Sequence, residues 1–205
     1  MSGPNGSLDQ AVAVFRENGG VMRAAQALQA GVSSHALYTM LDRGVLERLS
    51  RGVYRLTDMP PLGNPDLVTA AMKIPHAVVC LISALSFHGI TTQIPHEVMM
   101  AVARNMPRRQ PKITYPPIHL FPFSEKAFRA GVETHEMDGV PVKIYSAEKT
   151  IADCFKYRNK IGFDVALEAL RLYCEGGATR ADALMEFARI CRVQHVIRPY
   201  LESLL

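Results

Sequence analysis

The stretch SSHALYTMLDRGVLERLSRGVYRL, Ser33 to Leu56, decides how the first part of this chain is read. Its first half has helical spacing. Ser33 is a good N-cap, Leu37, Met40 and Leu41 point one way, and Gly44 closes the end. The opposite face presents Ser34, His35, Tyr38, Thr39 and Asp42. The second half, VLERLSRGVYRL, predicts two short strands with arginines at the turn.

Working outward, Ser7 is placed to cap a helix whose apolar positions Leu8, Ala11, Val12 and Phe15 follow helical spacing, and Gly19-Gly20 stops it. A second short helix is expected to carry Val21, Ala24, Ala25 and Leu28, with Gly31 making the turn. Three short helices and a hairpin add up to a winged helix-turn-helix over residues 1–60. In such a fold the second helix must be small-faced so that the third can cross it closely, which Ala24 and Ala25 permit. The third must show short polar side chains, because only a slim face enters the major groove, about 12 Å wide. Ser33, Ser34, His35, Tyr38 and Thr39 suit that role, and Arg43, Arg48, Arg51 and Arg55 supply cations for the phosphates beside the groove. Against this, residues 1–58 hold six arginines, no lysine and five acids, so the segment is barely basic. Many winged helices dock protein, and an Arg-rich hairpin is often a solvated edge strand. The concentration of arginine in the wing favours DNA.

The remainder, 61–205, follows a proline-rich linker, DMPPLGNPD (Asp58–Asp66), and predicts a mixed α/β domain. A helix is expected over Ala77–His88, and strands over Glu97–Ala103 and Ile118–Phe121. Val132–Met137 and Val140–Tyr145 flank Asp138-Gly139, a strong hairpin signal. Helices then dominate: Ser146 starts one, Asp164 the next, and Thr179 with Asp182 resembles a capping box for a third. The overall fold class is therefore α+β.

The chain's 205 residues, 48% hydrophobic and 20% charged with a net charge of +4, have the composition of an ordinary globular protein. Cys80, Cys154, Cys174 and Cys191 stand alone in apolar stretches without CxxC spacing, which suits buried thiols in a reducing compartment. The N-terminus lacks a signal-peptide pattern and no apolar run is long enough to span a bilayer, so a cytoplasmic protein is expected.

YSAEKTIADCFKYRNKIGFD (Tyr145–Asp164) is dense in polar residues and tempting as an active site. Glu148 and Lys149, following Ser146, fall in a first helical turn, where side chains diverge by about 100° per residue and suit joint metal binding poorly. The helix dipole accounts for Glu148, and Lys149 with Asp153 reads as an i,i+4 pair on a solvated face. No histidine shows ligand spacing; His88 is expected to hydrogen-bond locally. The expectation is no catalytic residue, no metal and no cofactor. Two basic groups, Arg104, Arg108, Arg109 and Lys112, and Lys143, Lys149, Lys156, Arg158 and Lys160, are candidate secondary contacts for nucleic acid or a partner.

The run GGVMRAAQALQAGVSSHALYTMLDRGVLERLSRGVYRL (Gly19–Leu56) resembles the N-terminal domain of AbiEi-family antitoxins of type IV, abortive-infection toxin–antitoxin systems. HAVVCLISALSFHGITTQIPHEV (His76–Val98) and VKIYSAEKTIADCFKYRNKIGFDVALEALR (Val142–Arg171) resemble that family's C-terminal domain. The resemblance implies a repressor that binds inverted repeats in its own promoter and counteracts a nucleotidyltransferase-like toxin encoded next door. The rival classes are a nucleic-acid-processing enzyme and a winged-helix protein-docking module.

Overall fold

The computed structural model describes residues 4–106, 115–177 and 179–205. The chain divides into two compact units: Met1–Pro75 with Gln110–Pro116 and Glu136–Val142, and the rest, His76–Arg109, Pro117–His135 and Lys143–Leu205. The first unit thus runs past the proline-rich stretch expected to end it, through a further helix.

The first unit opens with α1 (Pro4–Glu17), β1 (Val21–Arg23), α2 (Ala24–Gln29) and α3 (Ser34–Asp42). The strands β2 (Leu46–Ser50) and β3 (Val53–Leu56) follow, then α4 (Pro65–Lys73). Phe15 of α1, Ala27 of α2, and Ala36, Leu37 and Met40 of α3 close on Met22, Leu46, Tyr54 and Leu56 of the strands. Burying that set is what holds three helices, each too short to be stable alone, in place. The strands form a three-stranded antiparallel sheet in the order β1-β3-β2. Gly52, at φ +75°, makes the β2–β3 turn, a backbone value that favours glycine. The register slips between Arg48 and Ser50, a bulge that twists the hairpin.

Three expectations need correction here. Val21 lies in β1, paired with Arg55, and not in the second helix. The close-packing alanine of α2 is Ala27, while Ala25 is exposed. Ser7 lies inside α1 and does not cap it.

The second sheet of the chain has the order β6-β5-β4-β8-β7, with Glu136–Val142 of its β7–β8 hairpin assigned to the first unit and the rest to the second. Its strands are β4 (Val78–Val79), β5 (Val98–Ala103), β6 (Ile118–Phe123), β7 (Val132–Met137) and β8 (Val140–Tyr145). β5 pairs parallel with β6 and antiparallel with β4, and β4 pairs parallel with β8. Asp138 and Gly139, both at positive φ, make the β7–β8 turn as the Asp-Gly signal required. The helices are α5 (Leu81–Phe87), α6 (Glu125–Arg129), α7 (Ala147–Lys156), α8 (Arg158–Ile161), α9 (Phe163–Glu175), α10 (Ala181–Cys191) and α11 (Gln194–Leu204). One core joins Ile151, Cys154 and Phe155 of α7 to Leu85, Phe121, Phe123, Leu170, Leu184 and Ile197.

The helix expected over Ala77–His88 splits: Val78-Val79 is a strand, and the helix begins only at Leu81, itself at φ +50°. Ser146 caps α7 by accepting a hydrogen bond from the Lys149 N–H at 3.3 Å. The capping box at Thr179 and Asp182 does not form: the Thr179 hydroxyl donates to the Cys174 carbonyl at 3.4 Å. Among the described residues no helix is long and apolar enough to cross a membrane.

Candidate nucleic-acid interface

Helix α3 is set by its N-cap and its buried stripe. Ser33 is extended and its Oγ accepts from the Ala36 N–H at 3.1 Å, so the helix starts where its apolar face meets the core. Anchoring Ala36, Leu37 and Met40 inward leaves Ser33, Ser34, His35 and Tyr38 exposed and Thr39 half-buried. Tyr38 stands 63% exposed, the largest outward side chain on the helix. Thr39 donates its hydroxyl proton to the His35 carbonyl at 2.8 Å, which fixes its rotamer along the same face. Asp42 and Arg43 are exposed at the far end.

The hairpin places its arginines unequally. Arg48 and Arg51 are exposed, and Arg51 sits at the turn beside Gly52. Arg55 is a correction: it is 6% exposed, on the central strand, and is not presented to an external phosphate. Its guanidinium pairs with the cross-strand Glu47 at 2.6 Å and donates to the Met59 and Pro60 carbonyls, closing the chain that leaves the strand. A buried guanidinium needs such partners, and the two terminal nitrogens of Arg55 find them internally, while its Nε is left without one among the described residues.

Two further cations, not among the sequence candidates, lie beside the hairpin. Lys73, the last residue of α4, donates from Nζ to the Arg51 carbonyl at the turn. Arg23, at the end of β1, donates from Nε to the Met72 carbonyl. Partial burial first, then the nearby charges of Arg23, Arg48 and Arg51, push the Lys73 ammonium down from its ordinary value. Burial likewise lowers Arg23. Four cations crowd together here, and among the described residues none of them has an ion-pair partner. Such crowding is unfavourable in the free protein and is relieved by an anion. Tyr115, exposed, adds an aromatic beside the hairpin: its carbonyl accepts from the Ser50 hydroxyl at 3.1 Å. Only its distance in sequence hid Lys73, a lysine ending an amphipathic helix past the proline stretch.

Residues 9–57 match the family model described as a transcriptional regulator, AbiEi antitoxin. The match, under half of the chain, covers the whole of the first of the three runs that resemble that family, Gly19–Leu56. It spans α1 from Asp9 through α3 and the hairpin, but not Lys73 or Tyr115. No curated protein matches the chain.

In the second unit the polar stretch of α7 is internal, contrary to the solvated face expected. Lys149 is 0% exposed, so it is withdrawn as a surface contact. Its Nζ pairs with Asp153 and lies 4.1 Å from the Tyr145 ring centroid and 5.0 Å from that of Phe123. Burial pushes the Asp153 carboxyl up, while Lys149 and the Cys191 thiol, which donates to it at 3.2 Å, pull it back. Glu148 is also buried. Burial opposes its charge, but its own backbone N–H, the Tyr173 hydroxyl (2.9 Å), Ser146 and the Arg180 guanidinium together hold it below the usual carboxylate range. His88 meets the Tyr145 carbonyl at 2.7 Å across the core. Among the described residues no cluster of His, Cys, Asp and Glu has the makings of a metal site.

Of the secondary basic groups, Arg104, Lys143, Lys156 and Lys160 are exposed and Arg158 half-buried. Arg158 donates to the Phe155 carbonyl at 2.8 Å, capping the end of α7. Arg108, Arg109 and Lys112 lie outside the described residues.

Proposed function

We propose that this protein is a transcriptional autorepressor and antitoxin whose N-terminal unit is a winged helix that reads DNA. In this reading α3 enters the major groove, with Ser34, His35, Tyr38 and Thr39 facing base edges and Ser33 and Arg43 at its ends. Arg48, Arg51, Lys73 and Arg23 hold the flanking phosphates. The observation that carries it is the cluster of cations, without an ion-pair partner among the described residues, at the hairpin beside a helix whose outward face is short and polar. The target is the protein's own promoter, with inverted repeats read by two copies of the domain, and the functional partner is a nucleotidyltransferase-like toxin. The antitoxin performs no chemistry of its own: of the buried polar residues that invite a catalytic reading, Lys149 and Asp153 are paired with each other and Glu148 is held by the Tyr173 hydroxyl. Its four free cysteines, three of them buried, suit the reducing cytoplasm where promoter and toxin meet.

The test is binding of the full-length protein to its upstream promoter against scrambled DNA across a salt series. Preference of about a thousandfold or more, with a steep salt dependence, is the expected result. Weak and unselective binding would sink the repressor reading and turn the domain into a protein-docking module.

A further inference from the structure

A second basic feature lies wholly within the C-terminal unit and owes nothing to the DNA interface. A cleft of about 360 Å³ is lined by Arg104, Lys126, Lys156, Arg189 and Arg192, with Asp153, Tyr157 and Cys191 among its other walls. The five cations come from separate places in the fold: just past β5, in α6, at the end of α7, in the last turn of α10 and at its C-cap. All five are exposed, and Glu125, the acid beside Lys126, is already engaged by Arg129 at 2.6 Å. Among the described residues none of the five has an ion-pair partner. The one acid in the lining, Asp153, is committed to buried Lys149 and the Cys191 thiol.

Helix dipoles explain part of this, since Lys156 and Arg189 end helices whose carbonyls favour cations. They do not explain why five cations from four elements surround one hollow. Arg192 adds a specific argument. It sits at φ 60°, ψ 41° where a helix of this kind ordinarily ends in glycine, so a guanidinium occupies a backbone position that disfavours a side chain.

We propose that this cleft binds a compact polyphosphate, of the class of a nucleoside triphosphate's phosphate chain. The volume falls in the range of small-molecule sites, roughly 300–1,000 Å³. Arginines and lysines converging from several directions suit a short run of linked phosphates, whereas a duplex asks for cations spread along a surface. Half-buried Tyr157, its hydroxyl held by the Pro122 carbonyl at 3.1 Å and its ring stacked on Phe123, gives the cleft a fixed apolar side.

The experiment is calorimetric titration of the full-length protein with sodium tripolyphosphate, ATP and AMP, repeated for R189A/R192A and for Lys156→Ala. Because these side chains are exposed, the variants are expected to keep the native circular dichroism spectrum. Tripolyphosphate and ATP should bind, AMP much more weakly, and the double variant should lose at least about tenfold in affinity. Arg51→Ala and Lys73→Ala, in the other unit, should leave ATP binding unchanged. Tighter binding of ATP than of tripolyphosphate would add a contact to the nucleoside, and equal binding would place recognition in the phosphates alone. The proposal is overturned by an absence of heat with both polyphosphates, by equal losses in the N-terminal variants, or by a single-stranded oligonucleotide that outcompetes ATP through the same residues.

Discussion

At the scale of single residues, the arginines of the hairpin have opposite expected phenotypes although they stand within eight positions. Arg51→Ala should weaken every DNA sequence to a similar degree and lower the slope of log affinity against log salt by about 1, and Lys73→Ala should do the same. Arg55→Ala should instead cost the fold about 1–3 kcal/mol, because it leaves Glu47 and the Met59 and Pro60 carbonyls without their donor. Urea unfolding separates the two cases; a stable Arg55→Ala protein with a reduced salt slope would put that residue back at the phosphates. On α3, Tyr38→Ala or His35→Ala should lose about 1–3 kcal/mol on the operator and little on random DNA. Equal losses on both sequences would mean that the residue positions the helix and does not specify a base.

Among the elements, α7 carries the sharpest energetic claims. Lys149→Met removes the partner of a buried carboxylate and should cost about 3–5 kcal/mol, whereas replacing Asp153 by Leu in the same chain should restore most of that loss. A double variant no better than the single one would show that the pair does not act as a unit. Glu148 predicts a pH effect. Its carboxyl is held below the ordinary range, so its contribution is present above the unfolded pKa, near 4.3, and is lost as pH falls through the folded value. Glu148→Gln should therefore be less stable than the parent at pH 7, with the gap closing in acid; a gap independent of pH would refute it. Asp153, shifted the other way, is common to both proteins and cancels in the difference. These placements also mark what the sequence could convey. The Asp138-Gly139 hairpin and α3 were legible because local chemistry determines them: two turn residues with positive φ, a serine cap, a helical apolar stripe. β1 and β4 were not, because strands of three and two residues are too short to show a period and are created by distant partners, Val53–Arg55 and Met100-Ala101. The burial of Arg55 and Lys149 escaped for the same reason. An arginine in an alternating strand and a lysine four residues before an aspartate look solvated until the rest of the core arrives.

For the whole molecule, the informative division is where the first unit ends. The sequence draws the boundary near residue 60, at the prolines, while the compact unit runs on to Pro75. The extra helix, α4, is tied back by two contacts that belong to the proposed DNA surface: the Arg23 guanidinium on the Met72 carbonyl and the Lys73 ammonium on the Arg51 carbonyl at the hairpin turn. A fragment 1–60 would lose both, and with them the cation that sits on the turn and the acceptor that orients Arg23. It should therefore be less stable than a fragment 1–75 by about 1–2 kcal/mol, each charged hydrogen bond being discounted for its exposure. Its salt slope on DNA should also be lower by about 1. Urea unfolding of the two fragments, followed by a salt series on one operator, tests both. If the two bind and unfold alike, α4 is a linker helix and the interface ends at the hairpin. If only the longer fragment matches the full chain, the DNA-binding module is defined by where its charges are held, and the run of prolines lies inside it.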